Sequence, residues 1–423
     1  MILAQQTSPS DETSLRYGGW RVVLACFLLA LFLFGFALYG QGVYLVELQR
    51  LRGWPAALIS GASTLSLLLA NIFATFTNEL VARLGSRRLV LFGIAALAGS
   101  MVLLAWATAP WQLYLAFILM SFGWIGMGTV VIATVVSLWF VRRRGLAISL
   151  AFTGASSGGI VVTPLLVLLV ERFGFPAAML TGAAIMVAVL VPVTMAWIGP
   201  PSAGIPAEAA ITGSSPTQTS SAPGDMSRAK LLRNLAFWTI SIPFAFALLA
   251  QVGFIVHQIA LLEPKIGRAS AGFAVSVMTF MAIAGRLSLG IVVDRFDPRR
   301  VTAASFAGQA VALLIILQSD TVPIVLAACA IFGFSVGNLI TLPPLIIHRE
   351  FSAASFVVVM GLSNAVSGTI CALGPGIVGL VRGWSGNYDT ALALCIALEL
   401  AAAVIVIQPS LSSWRPSAAK GGG

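Results

Sequence analysis

Residues 22–46, VVLACFLLALFLFGFALYGQGVYLV, form a run of 25 residues without a charged side chain. A helix that crosses the hydrocarbon core of a bilayer needs about 20 mostly apolar residues, and this run exceeds that length. The whole chain has the same character. Hydrophobic residues make up 59% of its 423 residues and charged residues 9%, against about 25% charged in a typical soluble domain. The composition therefore predicts a membrane protein with many spans and excludes an ordinary soluble domain.

Eleven further apolar runs follow, separated by short turns that contain Pro, Gly or charged residues. The twelve predicted spans are 22–46, 56–77, 89–108, 111–140, 146–170, 177–198, 237–262, 271–293, 301–317, 322–347, 355–381 and 390–407. Several Trp residues lie near the span ends, where the membrane interface favours indole rings. The sequence thus predicts an all-α membrane protein with twelve transmembrane helices.

One connection is much longer than the others. It is rich in Ser, Thr, Pro, Gly and Ala, a composition that cannot form a packed core, so we expect a flexible linker. The linker divides the spans into two groups of six. The predicted organisation is a tail at 1–21, a six-helix bundle at 22–198, the linker at 199–235, a second six-helix bundle at 236–408 and a tail at 409–423.

The basic residues predict the orientation of the chain. If both termini are cytoplasmic, 17 of the 24 Lys and Arg residues fall in inside segments, 6 in outside segments and 1, Arg286, within a span. Such a bias is typical of membrane proteins. We therefore expect an integral protein of a bacterial inner (plasma) membrane with cytoplasmic tails and linker. The net charge of +10 follows from this topology and gives no reason to expect nucleic-acid binding, because the basic residues are scattered over many loops.

An internal repeat connects the two predicted bundles. The loop after the second span reads NELVARLGSRR (78–88), and the loop after the eighth reads GIVVDRFDPRR (290–300). Both contain a helix end, an Arg, a tight turn and then a basic pair. A repeat at equivalent places in two halves is typical of transporters built from two six-helix bundles related by an axis along the membrane normal.

At these loops the chain resembles the major facilitator superfamily. The second loop matches that family's conserved loop of Gly, then Asp-Arg, then a basic pair, whereas the first has Asn78 for Gly and Ala82 for Asp. In the family the Asp-Arg turn helps to lock the cytoplasmic face of the closed bundle. The resemblance therefore implies a gating role for Asp294, Arg295 and Arg83, with a weaker lock in the first half.

A narrower resemblance rests on three motifs. They are YGGW (17–20), WFVRRRGLA (139–147) and GRLSLG (285–290). Together they are similar to the monocarboxylate transporters and the bacterial oxalate–formate antiporter-like group. This resemblance implies a secondary transporter of small organic anions, with monocarboxylates as the favoured class, that works by alternating access.

Arg286 lies well inside the eighth predicted span, where a charged side chain costs at least about 2.5 to 3.5 kcal/mol. Such a cost persists where the side chain faces a wet cavity, a partner or a ligand. A guanidinium binds a carboxylate through two hydrogen bonds, and the matching Arg anchors the substrate carboxylate in the resembled families. We therefore expect Arg286 to bind an anionic substrate. The alternatives are an ion pair with Asp294 and snorkelling to the cytoplasmic side.

The chain departs from these families where they carry further charges. Animal monocarboxylate transporters have an Asp one helical turn before the Arg, where this chain has Ala282, and a Lys in the first span, where this chain has none. The oxalate–formate antiporters have a Lys in the eleventh span, which this chain also lacks. A single Arg fits a monoanion better than a dianion, because a second buried charge would have no partner.

Two other ionisable residues lie inside predicted spans. His257 is in the outer part of the seventh span, and because imidazole exchanges protons near neutral pH it is a candidate for proton coupling. A hydrogen-bonded structural role is the alternative. Glu399 lies in the middle of the last span, which is peripheral in the superfamily, and there a structural role is favoured over coupling.

Further polar residues lie in the spans that line the central cavity of the superfamily fold. They are Tyr39, Gln41, Tyr44, Thr129, Thr134, Asn338, Asn364 and Ser367. Each is either a contact for the substrate or part of an interhelical hydrogen bond, a common use of polar residues in spans. The predicted substrate-binding residues are Arg286, Tyr39, Tyr44, Asn338 and Asn364. The Phe, Leu and Val side chains nearby predict a small, largely apolar pocket.

Small residues and a proline mark the segments that we expect to move. Gly154 and Gly158 lie in the fifth span, and Pro375 lies in a Gly-Pro-Gly segment of the eleventh, its counterpart in the second half. Small residues let helices approach and slide, and Pro weakens the helical hydrogen-bond ladder. The pattern predicts a moving seam, with static close packing as the alternative for the glycines.

The sequence contains no motif for a different chemistry. It has no G-x-x-x-x-G-K-[ST] loop for ATP, and its Cys, His, Asp and Glu residues show neither metal-ligand spacing nor a catalytic cluster. We therefore expect a carrier that is not an enzyme and uses no cofactor or metal. Its expected partners are a small organic anion, the lipid bilayer and a co-transported proton. The alternatives are an anion exchanger, a multidrug or metabolite exporter of the same fold, and a membrane sensor that binds without transport.

Overall fold

The computed structural model describes residue 12, residue 14 and residues 17–199, 231–292, 296–339 and 341–408. Within these residues the regular structure is helical and no strand is present. Most of the predicted linker and of the two predicted tails lies outside this part of the chain.

The first half contains six spans and a short connecting helix. The spans are α1 (Gly19–Phe34, a π-helical turn Gly35–Tyr39 and Gln41–Arg52), α2 (Ala56–Ala74), α3 (Ser86–Trp106), α4 (Pro110–Met127 and Thr129–Ser137), α5 (Arg144–Phe173) and α6 (Phe175–Trp197). The short helix Thr77–Leu84 connects α2 to α3.

The second half repeats this arrangement. Its spans are α7 (Leu235–Ile266), α8 (Arg268–Val292), α9 (Pro298–Gln318), α10 (Val322–Val336 and Leu342–Glu350), α11 (Ala353–Ala372 and Gly374–Ser385) and α12 (Asp389–Ile407). We call the face that holds the start of α1 and the end of α12 the terminal face, and the opposite face the distal face.

The prediction of an all-α membrane protein is confirmed. Eleven helices of the described chain are long and apolar enough to cross a membrane, and the first piece of α10 is a shorter apolar helix. The structure differs from the predicted spans at several ends and breaks. The first span continues beyond residue 46 to Arg52, because its charged residues find ion-pair partners at the distal face. The fourth, tenth and eleventh spans are interrupted at glycine- or proline-containing segments, the usual cause of sharp helix breaks.

The two halves share their turn chemistry. Gly53 and Gly267 end the first span of each half, and Gly174 and Gly386 end the fifth. All four have positive φ, between 66° and 81°, a conformation that glycine adopts without the steric cost of a Cβ. The chain therefore reverses by the same device at equivalent places in both halves.

The basic pairs of the internal repeat also have equivalent contacts. Arg87 Nε donates to the Ile198 carbonyl at the end of α6, at 2.7 Å. Arg299 Nη1 donates to the carbonyls of Val406 and Gln408 at the end of α12, at 2.9 and 3.1 Å. In each half, the first Arg of the pair thus caps the last helix, whose terminal carbonyls lack intrahelical partners.

The halves meet along three pairs of helices, α5 with α8, α2 with α11, and the distal part of α1 with α7. Along α5 and α8 the contact runs from Gly272 beside Val167 to Thr279 beside Gly159. Two turns further along α8 lies Arg286.

Along α2 and α11 the contact runs from Ser60 beside Gly379 to Asn71, whose Nδ2 donates to the Gly368 carbonyl at 3.2 Å. Closer to the terminal face, the described residues of the two halves share no hydrogen bond or ion pair. Among the described residues, the contacts between the halves thus concentrate toward the distal face, which indicates a molecule closed there and more open toward the terminal face.

Candidate functional site

Arg286 lies at the inner end of the closed seam, and its side chain is only partly exposed. Its Nε atom is buried and has no hydrogen-bond partner. None of the described carboxylates lies within ion-pairing distance of the guanidinium. The alternative partner considered above, Asp294, falls outside the described residues. A partly shielded guanidinium without a counter-ion is an expensive group in a membrane span, and an anion would compensate it.

Tyr39 is a residue of the first half that lies near this guanidinium. It is 8% exposed, and its hydroxyl approaches Arg286 from the opposite half. Tyr39 ends the π-helical turn of α1, in which the Gly40 N–H donates to the Gly35 carbonyl at 2.7 Å. Single π-turns of this kind occur frequently at functional sites. Arg286 and Tyr39 thus form the core of the candidate substrate site.

The backbone of α8 near Arg286 packs closely against α10. A Cβ at Gly333 would lie 2.0 Å from the Met278 carbonyl oxygen, and one at Gly337 would lie 2.0 Å from that of Ala282 and 3.0 Å from the Arg286 nitrogen. These two glycines form a G-x-x-x-G pair, which lets helix backbones pack closely in membranes. The backbone that carries the guanidinium is therefore held rigidly within its own half.

Tyr44 and Gln41 lie in the interior of the first half. Tyr44 is fully buried, its hydroxyl has no partner, and its ring packs edge-on against Phe175 of α6 at 6.1 Å. Gln41 Nε2 donates to the Ala37 carbonyl at 2.5 Å, within the same helix. The structure thus places both on the side of α1 that faces its own bundle, and the role of Tyr44 as a substrate contact stays a prediction.

Asn338 lies at the break of α10. Its Nδ2 donates to Ser305 Oγ of α9 at 3.3 Å, and its Oδ1 is buried without a partner. It lines a cleft of about 540 Å³ between α8, α9 and α10, together with Gly285 and three serines. Two of the residues that line this cleft, Gly285 and Ser288, are close neighbours of Arg286 on α8.

The α11 candidates have different environments. Asn364 is exposed and lies one turn from Gly368, whose carbonyl contacts α2, so Asn364 shares the face of α11 that looks toward the first half. Ser367 instead donates to the Ser241 carbonyl of α7 at 3.3 Å. Asn364 is therefore placed along the open space, whereas Ser367 forms an interhelical hydrogen bond.

The two threonines of α4 line an open hollow on the first half. Thr129 and Thr134 share it with Asn78 and Arg144, and its volume is about 700 Å³. Thr134 Oγ1 donates to the Val130 carbonyl at 2.8 Å, which satisfies its hydroxyl.

His257 lies on α7, and its side chain is fully buried against the break of α11. Its Nε2 lies 3.0 Å from the Pro375 carbonyl oxygen and its Nδ1 lies 3.1 Å from the Tyr388 hydroxyl. Because the carbonyl only accepts, Nε2 carries the proton, and a neutral ring then accepts at Nδ1 from Tyr388. Both nitrogens are therefore satisfied without a second proton, which supports the structural alternative, and the coupling role stays a prediction.

The predicted gating residues divide into several groups. Gly154 and Gly158 pack against α1 of their own half, where an added Cβ would lie 2.1 Å from the Phe27 carbonyl oxygen and 2.4 Å from that of Leu31. Their neighbour Gly159 is the glycine of α5 that faces the other half.

Pro375 lies at the interface between the halves, because the next residue, Gly376, donates its N–H to Thr64 Oγ1 of α2 at 2.8 Å. Arg83 is exposed at the terminal face. Asp294 and Arg295 lie outside the described residues. The gating roles of all these residues remain predictions.

Two motifs of the narrower resemblance contact each other at the terminal face. The Tyr17 hydroxyl donates to the Trp139 carbonyl, and the Trp20 ring packs edge-on against Phe140 at 5.0 Å. Glu12 accepts hydrogen bonds from the three backbone N–H groups of residues 141–143, just before α5. Burial would raise the pKa of Glu12, but these hydrogen bonds outweigh it and lower the pKa, so the tail is held to α5 by a charged carboxylate.

Sequence reasoning missed a group of five charged residues at the distal face, which we call the distal charge cluster. Its members are Glu47, Arg50, Glu171, Glu263 and Arg268. The two arginines were counted only as loop charges, and the three glutamates were not considered. An acid directly after a predicted apolar span was the available signal.

The family of the chain follows from its fold and from a direct match. A model of the Major Facilitator Superfamily matches residues 27–263, more than half of the chain. The chain therefore belongs to the Major Facilitator Superfamily.

Similar proteins of known name narrow the resemblance. Monocarboxylate transporter 13 of Rattus norvegicus is 26% identical, over 98% of this chain and 95% of its own length. Monocarboxylate transporter 2 of Homo sapiens is 25% identical, over 94% and 86%, and MFS-type transporter 1 of an Ophiocordyceps species is 24% identical, over 99% and 91%. The resemblance to monocarboxylate transporters is thus confirmed over nearly the whole chain.

A solved structure shares the fold. The nucleoside transporter NupG superposes with a TM-score of 0.69 at 17% identity, covering 92% of this chain and 97% of NupG. At this low sequence identity, the structural similarity is evidence for a shared fold only. Family and relatives together indicate an integral membrane transporter of small molecules, not an enzyme.

Proposed function

We propose that this protein is a secondary active transporter of small monocarboxylates that works by alternating access. The single observation that carries the proposal is Arg286. Its guanidinium has no carboxylate partner among the described residues and lies two turns beyond the contact of Thr279 with Gly159 between the halves. A monocarboxylate supplies the one negative charge and the two acceptor oxygens that a guanidinium fork binds.

The substrate class follows from the surroundings of Arg286. Tyr39 offers a hydroxyl from the opposite half, and an anion bound between the two residues would touch both halves at once. A ligand that bridges the halves favours the state in which they close around it, which is how binding shifts a two-state carrier. The second charge of a dicarboxylate would have no partner of this kind.

Uptake into proteoliposomes tests the proposal. We expect accumulation of labelled pyruvate or lactate, and we expect Arg286→Gln to lower uptake at least about tenfold, because charge-assisted hydrogen bonds are lost. Arg286→Lys keeps the charge without the planar fork and serves as the matched control, with an intermediate rate. Wild-type uptake in Arg286→Gln, at equal protein content, would refute the site.

Coupling to a proton through His257 is part of the proposal. The support is the contact of His257 on α7 with the break of α11. A second proton on the ring would turn Nδ1 from an acceptor into a donor. In His257→Gln we expect uptake to lose its response to an imposed pH gradient while exchange of internal for external substrate continues. An undiminished response would remove His257 from the coupling mechanism.

The same vesicles separate the other candidate functions. An exchanger accumulates label only when the vesicles are preloaded with anion, and a sensor binds without accumulation. An exporter of lipophilic cations would transport cations and would not transport carboxylates.

We propose a plasma-membrane location, in a bacterial inner membrane, with the terminal face in the cytoplasm. The bias of basic residues supports this orientation. Labelling of single cysteines at the two faces in intact cells tests it.

A further inference from the structure

Arg382 lies in the last turn of α11, where the chain turns toward α12 at the distal face. Its guanidinium carbon lies 5.6 Å from the centre of the Tyr388 ring, a distance at which a cation is attracted to the face of an aromatic ring. Its Nε atom is buried and has no hydrogen-bond partner. The ring of Tyr388 therefore holds a guanidinium whose hydrogen-bond donors are not used by the described part of the chain.

The Arg382 guanidinium also has no counter-ion among the described residues. In contrast, Arg50, Arg268 and Lys265 at the same face each pair with a carboxylate, at 2.6 to 2.8 Å. Asp389, the acid nearest to Arg382 along the chain, is exposed and makes no ion pair with it. An unpaired guanidinium keeps its planar fork of N–H donors free, and this fork matches the two oxygens of a carboxylate.

A series of hydrogen bonds fixes the Tyr388 ring beside this guanidinium. The Tyr388 hydroxyl donates to His257 Nδ1 at 3.1 Å, and His257 Nε2 donates to the Pro375 carbonyl at 3.0 Å. The next residue, Gly376, donates its N–H to α2 of the first half at 2.8 Å. The guanidinium is thus connected to the contact between α11 and α2, which lies about 10 Å away along α11.

We propose that Arg382 and Tyr388 form a second anion site, on the distal face, which binds a small carboxylate before it reaches Arg286. The guanidinium donates to the carboxylate oxygens, and the Tyr388 ring keeps the plane of the guanidinium fixed. Arg382 is partly exposed and residues 383–387 are exposed, so the site is open to the distal side while the halves are closed there. The identity of the anion as a transported carboxylate rests on the proposed function, whereas the anion site itself does not.

Saturation-transfer difference NMR of lactate tests the site on purified protein in zwitterionic nanodiscs, because this method detects weak binding. An Arg286→Gln background removes the proposed central contact, so that the remaining signal reports on other sites. In this background we expect Arg382→Gln to lower the lactate signal about threefold to fivefold, the effect of losing a partly exposed charge pair. An unchanged signal would overturn the proposal.

Two controls separate a built site from the general charge of the face. Arg172→Gln removes the same charge from an exposed distal position and should leave the lactate signal unchanged. Tyr388→Phe keeps the ring and should keep most of the signal, whereas Tyr388→Leu should lower it as Arg382→Gln does. Equal losses in Arg172→Gln and Arg382→Gln would mean that only the charge of the face matters, and the proposal would fail.

The lipid composition of the nanodiscs distinguishes a soluble carboxylate from a lipid headgroup, which offers the guanidinium similar oxygens. We expect the Arg382-dependent lactate signal to persist, at physiological salt, when the discs contain phosphatidylglycerol. Its disappearance in these discs would assign the guanidinium to a lipid phosphate and overturn the proposal.

Uptake by intact cells tests whether the carboxylate passes through this site. In the proposed orientation the external medium contacts the distal face. Arg382→Gln, with Arg286 intact, should raise the lactate concentration for half-maximal uptake about threefold to fivefold and leave the maximal rate unchanged. An unchanged half-maximal concentration would contradict a role of the site in entry.

The outcome is separable from that of the proposed function. If the NMR signal depends on Arg382 and no carboxylate accumulates in vesicles, the transport proposal fails and the anion site stands. If carboxylates accumulate and Arg382→Gln leaves the NMR signal unchanged, the distal site fails alone.

Discussion

At the distal end ion pairs cross from one half to the other, whereas the ion pair described at the terminal end stays within a half. Arg50 and Arg268 bind acids of the opposite bundle. Arg299 binds Glu350 of its own bundle through contacts of 2.5 and 2.8 Å. A rocking carrier needs both kinds of contact. The pairs within a half keep each bundle rigid, and the pairs between halves hold one conformation until they are broken.

The largest effect should come from the terminal end. Arg299 is 7% exposed and also holds the last carbonyls of α12, so Arg299→Ala leaves the Glu350 carboxylate and those carbonyls without their donor. Removing one partner of a buried pair costs about 3–5 kcal/mol. We expect a clearly lower thermal unfolding midpoint in detergent. The adjacent exposed Arg300→Ala is the control and should leave the midpoint unchanged, and equal midpoints for both variants would contradict the role of Arg299.

An added side-chain carbon in the contact between α5 and α8 should have an intermediate effect on the closed state. A Cβ at Gly159 would lie 2.3 Å from Thr279 Cγ2 of the other half. Gly159→Ala should therefore disfavour the distally closed state by about 1–3 kcal/mol, the usual cost of overpacking. It should also widen the distance, measured by electron paramagnetic resonance, between spin labels at Arg52→Cys and Thr321→Cys, two exposed distal positions on opposite halves. Adding Thr279→Ala should restore closure.

Neighbouring glycines sharpen this comparison. Gly158→Ala meets the Leu31 carbonyl of the same half, so it should lower the unfolding midpoint without widening the distal end. Gly99→Ala meets nothing within 4 Å and should change neither quantity. If Gly158→Ala and Gly159→Ala had the same effect on the label distance, the division into rigid halves and a breakable seam would be wrong.

The smallest effect should come from the innermost contact between the halves. Asn71→Leu removes the hydrogen bond to the Gly368 carbonyl, and interhelical hydrogen bonds in membranes are worth about 0.6 kcal/mol on average. We expect a shift of the open and closed populations by about threefold, measured with the same labels. Complete loss of the closed population would contradict this estimate, because the hydrogen bond would then stabilise the closed state by far more than about 0.6 kcal/mol.

The sequence predicted the fold because a membrane leaves few alternatives. Apolar runs of sufficient length must be helices, and the repeated loops indicated two matched halves. The equivalent capping by Arg87 and Arg299 agrees with that repeat. The break of α4 was not predicted, since glycine occurs both in intact and in interrupted membrane helices, whereas the break of α11 falls at the Gly-Pro-Gly segment where a weakened hydrogen-bond ladder was expected.

The candidate site was only partly accessible to sequence reasoning. Arg286 and Tyr39 could be proposed because a charge inside a span and polar residues in cavity-lining spans are visible in the sequence. The orientation of a side chain about its helix is not, so Tyr44 was grouped with Tyr39 although it faces α6. The distal charge cluster was missed because its pairs join helices far apart in the chain, such as Glu47 and Arg268.

Equilibrium binding by calorimetry tests the central claim, that the Arg286 guanidinium recognises a carboxylate, most directly. We predict that pyruvate or lactate binds the purified protein, that lactamide, the neutral analogue, does not, and that Arg286→Gln weakens carboxylate binding at least about tenfold. Equal binding of lactate and lactamide, or undiminished lactate binding by Arg286→Gln, would contradict the account.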